Sequence, residues 1–257
     1  MPYAAIMIPS SPSYRRDAFE AGLKRLGYSV EFGTRARPTP ADIIVVWNRR
    51  SANAVDATKY EKIGATVLVT ENGWIGADDK GNKLYALAKG HHNGAGWWPV
   101  GNEDRWTRLG IELKPWRKDG RHILVLPQRG IGEPGVAMPR GWAQDAMDRL
   151  KAVTRRPVKL RQHPGFNKTP LEPVFEDCWA AVTWASGAAI KAIVAGIPVF
   201  HEMPSWLGGP AARRGIADME TPYLGDRMPM LNRLSHGQWG AEEIKSGEPF
   251  ARLLELK

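Results

Sequence analysis

A single cysteine, Cys178, stands in 257 residues, which excludes an intrachain disulfide and any multi-cysteine zinc site. No stretch approaches the roughly 18 consecutive apolar residues of a membrane-spanning helix. The amino-terminal MPYAAIMIPSSPSYRRD has no charge before its short apolar run, and Pro9 and Pro12 follow closely. It reads as a buried first strand and not as a signal peptide, and a reducing cytoplasm is the expected location. Short-period repeats, low-complexity tracts, zinc-finger spacing, an arginine-rich tail and RNA-binding aromatic motifs are all missing. IPSSPS follows the first strand where a dinucleotide-binding protein would carry GxGxxG, which argues against a nicotinamide-dependent oxidoreductase.

What the chain has in excess is positive charge: 36 Lys and Arg against 27 Asp and Glu, a net +9. That balance favours a polyanionic or phosphorylated partner, although a generally basic solvated surface accounts for it equally well. Hydrophobic content of 43% with 25% charged residues is that of an ordinary folded protein. The length suits two modest α/β domains or one large one.

Strand-like and helix-like stretches alternate. YAAIMI reads as a strand, RRDAFEAGLKRL as a helix closed by Gly27, then SVEF and residues 42–47 as strands, 52–63 as a helix and TVLVTEN as a strand. Strands apolar on both faces imply a parallel sheet covered on both sides. Residues 73–118 break the rhythm and read as an irregular, Trp- and Gly-rich region ending in a linker. The rhythm restarts with HILVLPQ, a glycine-bearing loop, a helix from Pro139 to Val153 and the strand PVKLRQH. Residues 170–177 read as a short acidic helix or turn. WAAVTWA as a strand, SGAAIKAIVAG as a helix and IPVFHE as a strand follow, and the tail reads as one or two closing helices. The expected fold class is therefore α/β, with two Rossmann-like domains facing a cleft: residues 1–115, and residues 116–257 with the closing helices.

The most informative stretch is RQHPGFNKTPLEPVFEDCWAAVTWASGAAIKAIVAGIPVF, residues 161–200. Ser186, Gly187 and Ala188 open a helix directly after a buried strand, where backbone N–H groups and the positive helix end can meet a diphosphate. The plainer use of Ser186 is as a helix N-cap, with the small residues there for packing. Arg161 and His163 end a neighbouring strand and point donors at the same rim. The stretch is similar to the carboxy-terminal half of GT-B glycosyltransferases, especially the capsular-polysaccharide-type and phage-encoded branches. Their pattern is Arg-x-His-Pro, then a Ser-led small-residue helix, then Ala-x-x-x-Gly-x-Pro-Val.

That resemblance implies a nucleotide-sugar co-substrate, UDP-sugars first, with no tightly bound cofactor and no required divalent metal. It implies donor contacts at Gln128, Arg129 and Gly130, and nucleoside contacts at His201 and Glu202, beside Arg161, His163, Ser186, Gly187 and Ala188. Glu71 ends a strand, and a carboxylate there can take the proton of an acceptor hydroxyl; His91 and His92 are the competing bases. Adjacent histidines are no metal motif. Acceptor contacts are expected from Ser11, Tyr14, Arg15, Arg16, Asn72, Trp74, Asn93 and Trp97, whereas Trp47 reads as core. The cluster Arg15, Arg16, Arg35, Arg37, Arg49 and Arg50 makes the first domain basic. A hydroxymethylated pyrimidine in DNA is therefore the first acceptor expected, in the host cytoplasm if the protein is phage-encoded, with the enzyme a monomer. The alternatives are a surface polysaccharide or small glycoside acceptor, and a non-catalytic nucleic-acid-binding protein on the same scaffold.

Overall fold

The computed structural model describes residues 1–163, 165 and 169–255. The chain divides into two compact units, one of Met1–Leu109 with Asn232–Lys257 and one of Gly110–Leu231. The sequence reading runs the second domain on to residue 257; contacts in the structure return the carboxy-terminal segment to the first unit.

Unit 1 opens with β1 (Tyr3–Met7), α1 (Arg16–Arg25), β2 (Ser29–Phe32), β3 (Ile43–Trp47), α2 (Ser51–Lys62), β4 (Thr66–Ala77), β5 (Lys83–Lys89) and the short α3 (Asp104–Arg108). Unit 2 holds β6 (His122–Leu126), α4 (Trp142–Val153), β7 (Val158–Leu160), α5 (Glu172–Phe175), β8 (Cys178–Thr183), α6 (Gly187–Val194), β9 (Val199–His201) and β10 (Arg213–Arg214). The chain re-enters unit 1 within α7 (Met228–Ser235) and ends in β11 (Gln238–Trp239), α8 (Ala241–Ser246) and α9 (Glu248–Leu254).

The unit 1 sheet has the order β11-β5-β4-β3-β1-β2. Its β2-β1-β3-β4 part is parallel, but β5 runs antiparallel to β4, and β11 antiparallel to β5. The expectation of irregular chain from residue 73 is thus corrected, and the sheet is mixed instead of wholly parallel. Gly73 and the turn before Lys83 explain why the pattern hid it. A Cβ on Gly73 would sit 2.8 Å from the Leu84 backbone, so only glycine lets the two strands approach. At the turn, Asp78 accepts from the backbone N–H groups of Lys80 and Asn82, and Gly81 takes φ +77°.

Ile43 to Val46 are buried on both faces. Ile44, Val46, Val67 and Val69 pack with Ala57 and Tyr60 of α2. On the other face α1 buries Ala18, Phe19, Gly22 and Leu23, one helical stripe. Gly22 and the carbonyl of Ile244 in α8 are so close that a Cβ would lie 2.1 Å from that oxygen, and Phe19 stacks edge-on to Phe250 of α9. These contacts fix the tail on unit 1.

The unit 2 sheet is entirely parallel, in the order β10-β9-β8-β6-β7. Its core joins Ile123, Val125, Ala180, Val182 and Phe200 to Trp142, Ala146 and Leu150 of α4. Pro139 stands in the turn before α4 and not inside it, because Gly141 at φ +81° precedes the first helical residue. Both sheets share one plan: the second strand lies outside the first, and the third on its inner side. The order reverses between β1 and β3, and again between β6 and β8. Ligands of open α/β sheets bind outside the carboxyl ends of strands at such switch points.

Candidate functional site

In unit 2 the carboxyl ends of β6, β7, β8 and β9 carry most of the residues singled out in sequence. Arg129 and Gly130 are exposed just after β6, with Gly130 at φ +65°. Gln128 donates its backbone N–H to Met138 Sδ at 3.4 Å, and its side-chain oxygen is buried without a hydrogen-bond partner. Arg161 follows β7 and donates to the carbonyl and hydroxyl of Thr169 at 3.0 and 2.8 Å. His163 Nδ1 accepts the Gly165 N–H at 3.0 Å, which leaves the ring proton of the neutral imidazole on Nε2 as a donor. Burial and then the charges of Arg129 and Arg161 depress the pKa of His163. Arg129 and Arg161 thus supply the positive charge at these strand ends, and His163, held neutral, supplies a hydrogen-bond donor. Pro164 of the motif lies outside the described residues.

At the next strand a hydroxyl relay shapes the corner. Thr183 Oγ1 donates to the Leu126 carbonyl and accepts the Ser186 N–H at 2.8 Å; Ser186 Oγ accepts the Ala188 N–H at 3.2 Å. Ser186 is the N-cap of α6, so its hydroxyl is engaged by the helix it starts. Gly187 is exposed at the helix mouth, and a Cβ there would meet nothing within 4 Å. His201 and Glu202 have other employment. His201 is buried, its Nδ1 hydrogen-bonded to the Met203 carbonyl and its ring against Trp206, and burial lowers its pKa. Glu202 receives both guanidinium nitrogens of Arg149 and the Trp142 indole N–H, all at 2.7 Å. The Arg149 bonds hold the Glu202 carboxyl below the usual carboxylate range, and the pair clamps α4 to the end of β9.

In unit 1, β3 pairs with β4 as far as Trp47 opposite Thr70, so Glu71 is the first residue of β4 beyond that edge. Val67 and Val69 face α2, and alternation puts Glu71 on the same side and Asn72 on the side of α1. Glu71 Oε1 accepts the Asn93 N–H at 2.6 Å, with Asn93 in the left-handed region at φ +57°. Burial pushes the Glu71 carboxyl up to about 7, against the opposing pull of the Asn93 N–H and the Trp74 side chain. Trp74 stacks on buried Trp98 at 5.4 Å. His92 is buried, with Nδ1 3.4 Å from the Arg49 N–H. His91 is half-buried, its backbone N–H bonded to the Lys89 carbonyl. Glu71, His92, Asn93 and Trp74 thus come together around one loop. Trp97 does not join the strand-end residues: exposed, it bridges to Lys89 at the register of Leu68, toward the amino end of β4.

A second group gathers on the α1 side. Tyr14, in the turn after β1, meets Trp47 at the end of β3 edge-on at 4.6 Å, and Trp47 meets Tyr85 of β5 at 6.2 Å. Lys83 Nζ lies 4.8 Å from the Tyr85 ring, 5.6 Å from Trp47 and 5.7 Å from Tyr14, and donates to Asn72 Oδ1 at 3.0 Å. Lys83 and Tyr85 escaped the sequence reading, and Trp47, expected in the core, is only partly buried. The signal was the alternation in KLYALAK, which puts Lys83 and Tyr85 on one face, but it fell inside a stretch read as irregular. Ser11 is exposed, its hydroxyl 3.3 Å from that of Ser13. Arg15, at φ +48°, is bound to Asp17, and the Arg16 guanidinium covers the Phe32 ring at 4.1 Å. Among the described residues no group of three or more His, Cys, Asp and Glu side chains is placed to hold a metal ion, and no helix is long and apolar enough to cross a membrane.

No protein-family model matches the sequence, and no curated protein matches it. Among solved structures it is similar to two transferases of KpsC from Thermosulfurimonas dismutans. Against the β-Kdo 2,4 transferase the TM-score is 0.57 at 13% identity, over 91% of this chain and 90% of the other. Against the β-Kdo 2,7 transferase it is 0.52 at 13% identity, over 96% and 98%. The fold of this chain is therefore that of the KpsC transferases across nearly its whole length.

Proposed function

We propose that this chain is a nucleotide-sugar-dependent glycosyltransferase of GT-B type, with unit 2 taking the donor and unit 1 the acceptor. The observation that carries the reading is the β6/β8 switch point. There Arg129 and Arg161 supply positive charge and neutral His163 a donor at the strand ends that also carry the N-terminus of α6, a combination that suits a nucleotide phosphate. The likeness to two transferases named for sugar transfer supports it. In the reaction the acceptor hydroxyl oxygen attacks the anomeric carbon, the bond from that carbon to the phosphate oxygen breaks, and the nucleotide leaves with the electron pair. Glu71 takes the hydroxyl proton, a role that its position beyond the β3 edge and its near-neutral pKa both suit. Helix-end and side-chain donors stabilise the charge on the departing phosphate.

Support for a DNA acceptor rests on charge, and the structure spends much of that charge internally. Arg15 is paired with Asp17, Arg35 with Asp42 and Arg49 with Glu61, while Arg16 lies over Phe32. A saccharide hydroxyl is the better-supported acceptor. The test is calorimetric binding of a nucleotide-sugar panel, UDP-sugars first, followed by mass spectrometry of saccharide acceptors and of hydroxymethylated DNA. A sugar-sized mass gain on a saccharide, little affected by salt, supports the reading. Gain on DNA that collapses between 50 and 200 mM salt, about the range in which multi-phosphate contacts fail, restores the nucleic-acid acceptor. A folded protein that binds no nucleotide-sugar overturns the glycosyltransferase reading.

A further inference from the structure

The β4–β5 ladder is interrupted between Asn72, opposite Tyr85, and Ala77, opposite Lys83, so residues 73–76 of β4 stand against Leu84 alone. Backbone groups in such a bulge lose their strand partners and need others. Gln238 of β11 supplies them. Its Oε1 accepts the N–H groups of Trp74 and Ile75 at 2.9 and 3.3 Å, and its Nε2 donates to the Ile75 carbonyl at 2.6 Å. Gln238 is buried, and its neutral carboxamide both accepts and donates, which no aliphatic or ionised side chain of that length can do. The register sets this side chain near the candidate base. Gln238 pairs with Ala86 and Ala86 with Glu71, so the three form one row across the sheet and project to one face, with only the methyl of Ala86 between the longer two. The same tail segment also holds the Trp74 ring. Arg233 accepts the Trp98 indole N–H on its carbonyl at 2.7 Å, Gly237 lies so close to Trp98 that a Cβ would come within 2.5 Å, and Trp74 stacks on Trp98. Trp74 in turn stabilises ionised Glu71 through its side chain, whose one donor is the indole N–H.

We infer that Gln238 is a positioning residue for Glu71, acting through Trp74: its carboxamide holds the β4 bulge in the one arrangement that keeps the Trp74 indole on the Glu71 carboxyl. A purely structural amide would repair the bulge and leave Glu71 indifferent to it. Here Gln238 bonds the backbone of the residue that serves the acid, while the residues just before Gln238 hold the ring on which that indole rests. Glu71 then has two donors of different origin. The Asn93 N–H comes from the loop after β5, and the Trp74 indole is set by the tail. With the second donor loosened, less would offset the burial of the acid, so Glu71 would hold its proton more tightly and ionise only at higher pH. The ionisable groups around this acid are His91 and His92 on the Asn93 loop, Arg49, whose backbone N–H meets His92, and Arg233 over Trp98. None of them is altered by substitution at residue 238 or 74.

Glu71 as the base belongs to the glycosyltransferase reading, on which the value of this positioning rests, so the first readout needs no substrate. It is the carboxyl titration of Glu71 in the full chain, followed by NMR of carboxyl-labelled glutamate and assigned with Glu71→Gln. In Gln238→Met, which keeps the length and removes the amide, the titration should move upward by about one pH unit. Trp74→Phe, which keeps a ring on Trp98 and removes the indole N–H, should move it likewise, and the double variant should move it no further than the larger single shift. Gln238→Asn, too short to span the same bonds, takes the place of Gln238→Met if the apolar variant does not fold. In turnover the Gln238 variant should lose about fivefold of kcat/KM at about pH 7 and recover it by about pH 9, a rescue that a damaged site would not show. An unmoved Glu71 titration in a folded Gln238 variant overturns the inference, whatever the melting temperature does. So do additive shifts in the double variant, or a loss of kcat/KM that is the same at every pH. A shifted titration together with full turnover in Glu71→Gln would keep the coupling and remove Glu71 as the base; an unshifted one with turnover lost in Glu71→Gln would do the reverse.

Discussion

The backbone N–H of Asn93 donates to Glu71 Oε1 at 2.6 Å, tying the loop after β5 to the middle of β4 across 22 residues. The bond does two things at once. It fixes a carboxylate just past the end of the β3–β4 pairing, and it accompanies burial that leaves this acid with a pKa of about 7. A carboxyl group that titrates near neutrality is suited to proton transfer, and it destabilises its own fold when it ionises.

The first prediction concerns that acid. Folded Glu71 titrates at about 7 and the unfolded residue near about 4.3, so the folded state holds the extra proton between those values. Stability should fall as pH rises through that window, by on the order of 3 kcal/mol from this one group. Glu71→Gln should flatten that part of the pH–stability curve, as read by denaturant unfolding at pH 5 and 7.5. In turnover, wild type should gain kcat/KM with pH through an apparent pKa near 7, and Glu71→Gln should lose about a hundredfold or more of kcat with donor affinity intact. An unchanged rate would pass the role to His91 or His92.

A second prediction tests the placement of the tail. Alanine is ordinarily better than glycine inside a helix, by about 0.5–1 kcal/mol. At Gly22 the sign should reverse, because the new Cβ would lie 2.1 Å from the Ile244 oxygen and 2.8 Å from the Phe250 ring. Gly22→Ala should cost about 1–3 kcal/mol through overpacking, with the loss seen in urea unfolding. Gly27→Ala is strained by its φ of +83° but meets nothing within 4 Å, so it should cost less.

A third prediction separates clamping from ligand contact at Glu202. Its carboxylate is largely buried and carries both Arg149 nitrogens and the Trp142 indole. Its pKa is depressed, so the pair's stabilisation is present above the ordinary glutamate range and is lost as pH falls through the folded value. Glu202→Gln should destabilise by about 1–3 kcal/mol, seen as a lower melting temperature, with nucleotide affinity changed less than about threefold. Loss of nucleotide binding at an unchanged melting temperature would instead make Glu202 a nucleoside contact.

Much of the scaffold was legible because its signals are local. The apolar run at residues 42–47, the stripe of Ala18, Phe19 and Leu23, Gly27 and Gly196 after their helices, and Ser186 before α6 each announce an element within a few residues. What stayed hidden depends on partners distant in sequence. The β4–β5 hairpin is disguised by Gly73 and Gly76, and β11 is two residues that acquire meaning only beside Tyr85 and Ala86. Glu71 was visible as a strand-end acid, but its pKa depends on a loop 22 residues away. Lys83 and Tyr85, neighbours on one face of β5, gain significance only when Tyr14 and Trp47 arrive from two other places in the sheet and its loops. Glu202 looked free because Arg149 and Trp142 lie more than fifty residues upstream.

The remaining prediction concerns the donor rim. Arg161 and His163 are half-buried and exposed at the end of β7, and among the described residues their bonds are local, to Thr169 and to Gly165. Removing them should therefore cost the fold little. Arg161→Ala and His163→Ala should each weaken UDP or UDP-sugar binding by about tenfold to a hundredfold, the usual worth of a hydrogen bond to a charged group. The double variant should bind no nucleotide at millimolar concentration while its melting temperature stays within a few degrees of wild type. His163 adds a pH signature. Arg129, Arg161 and burial hold its pKa down in the free protein, and a bound phosphate, by offsetting that positive charge, should raise it. Nucleotide binding should therefore take up protons at pH values where His163 titrates in wild type and not in His163→Gln, measurable as a buffer-dependent binding enthalpy. Full affinity in the double variant would move the phosphate away from this rim and with it the donor assignment of unit 2.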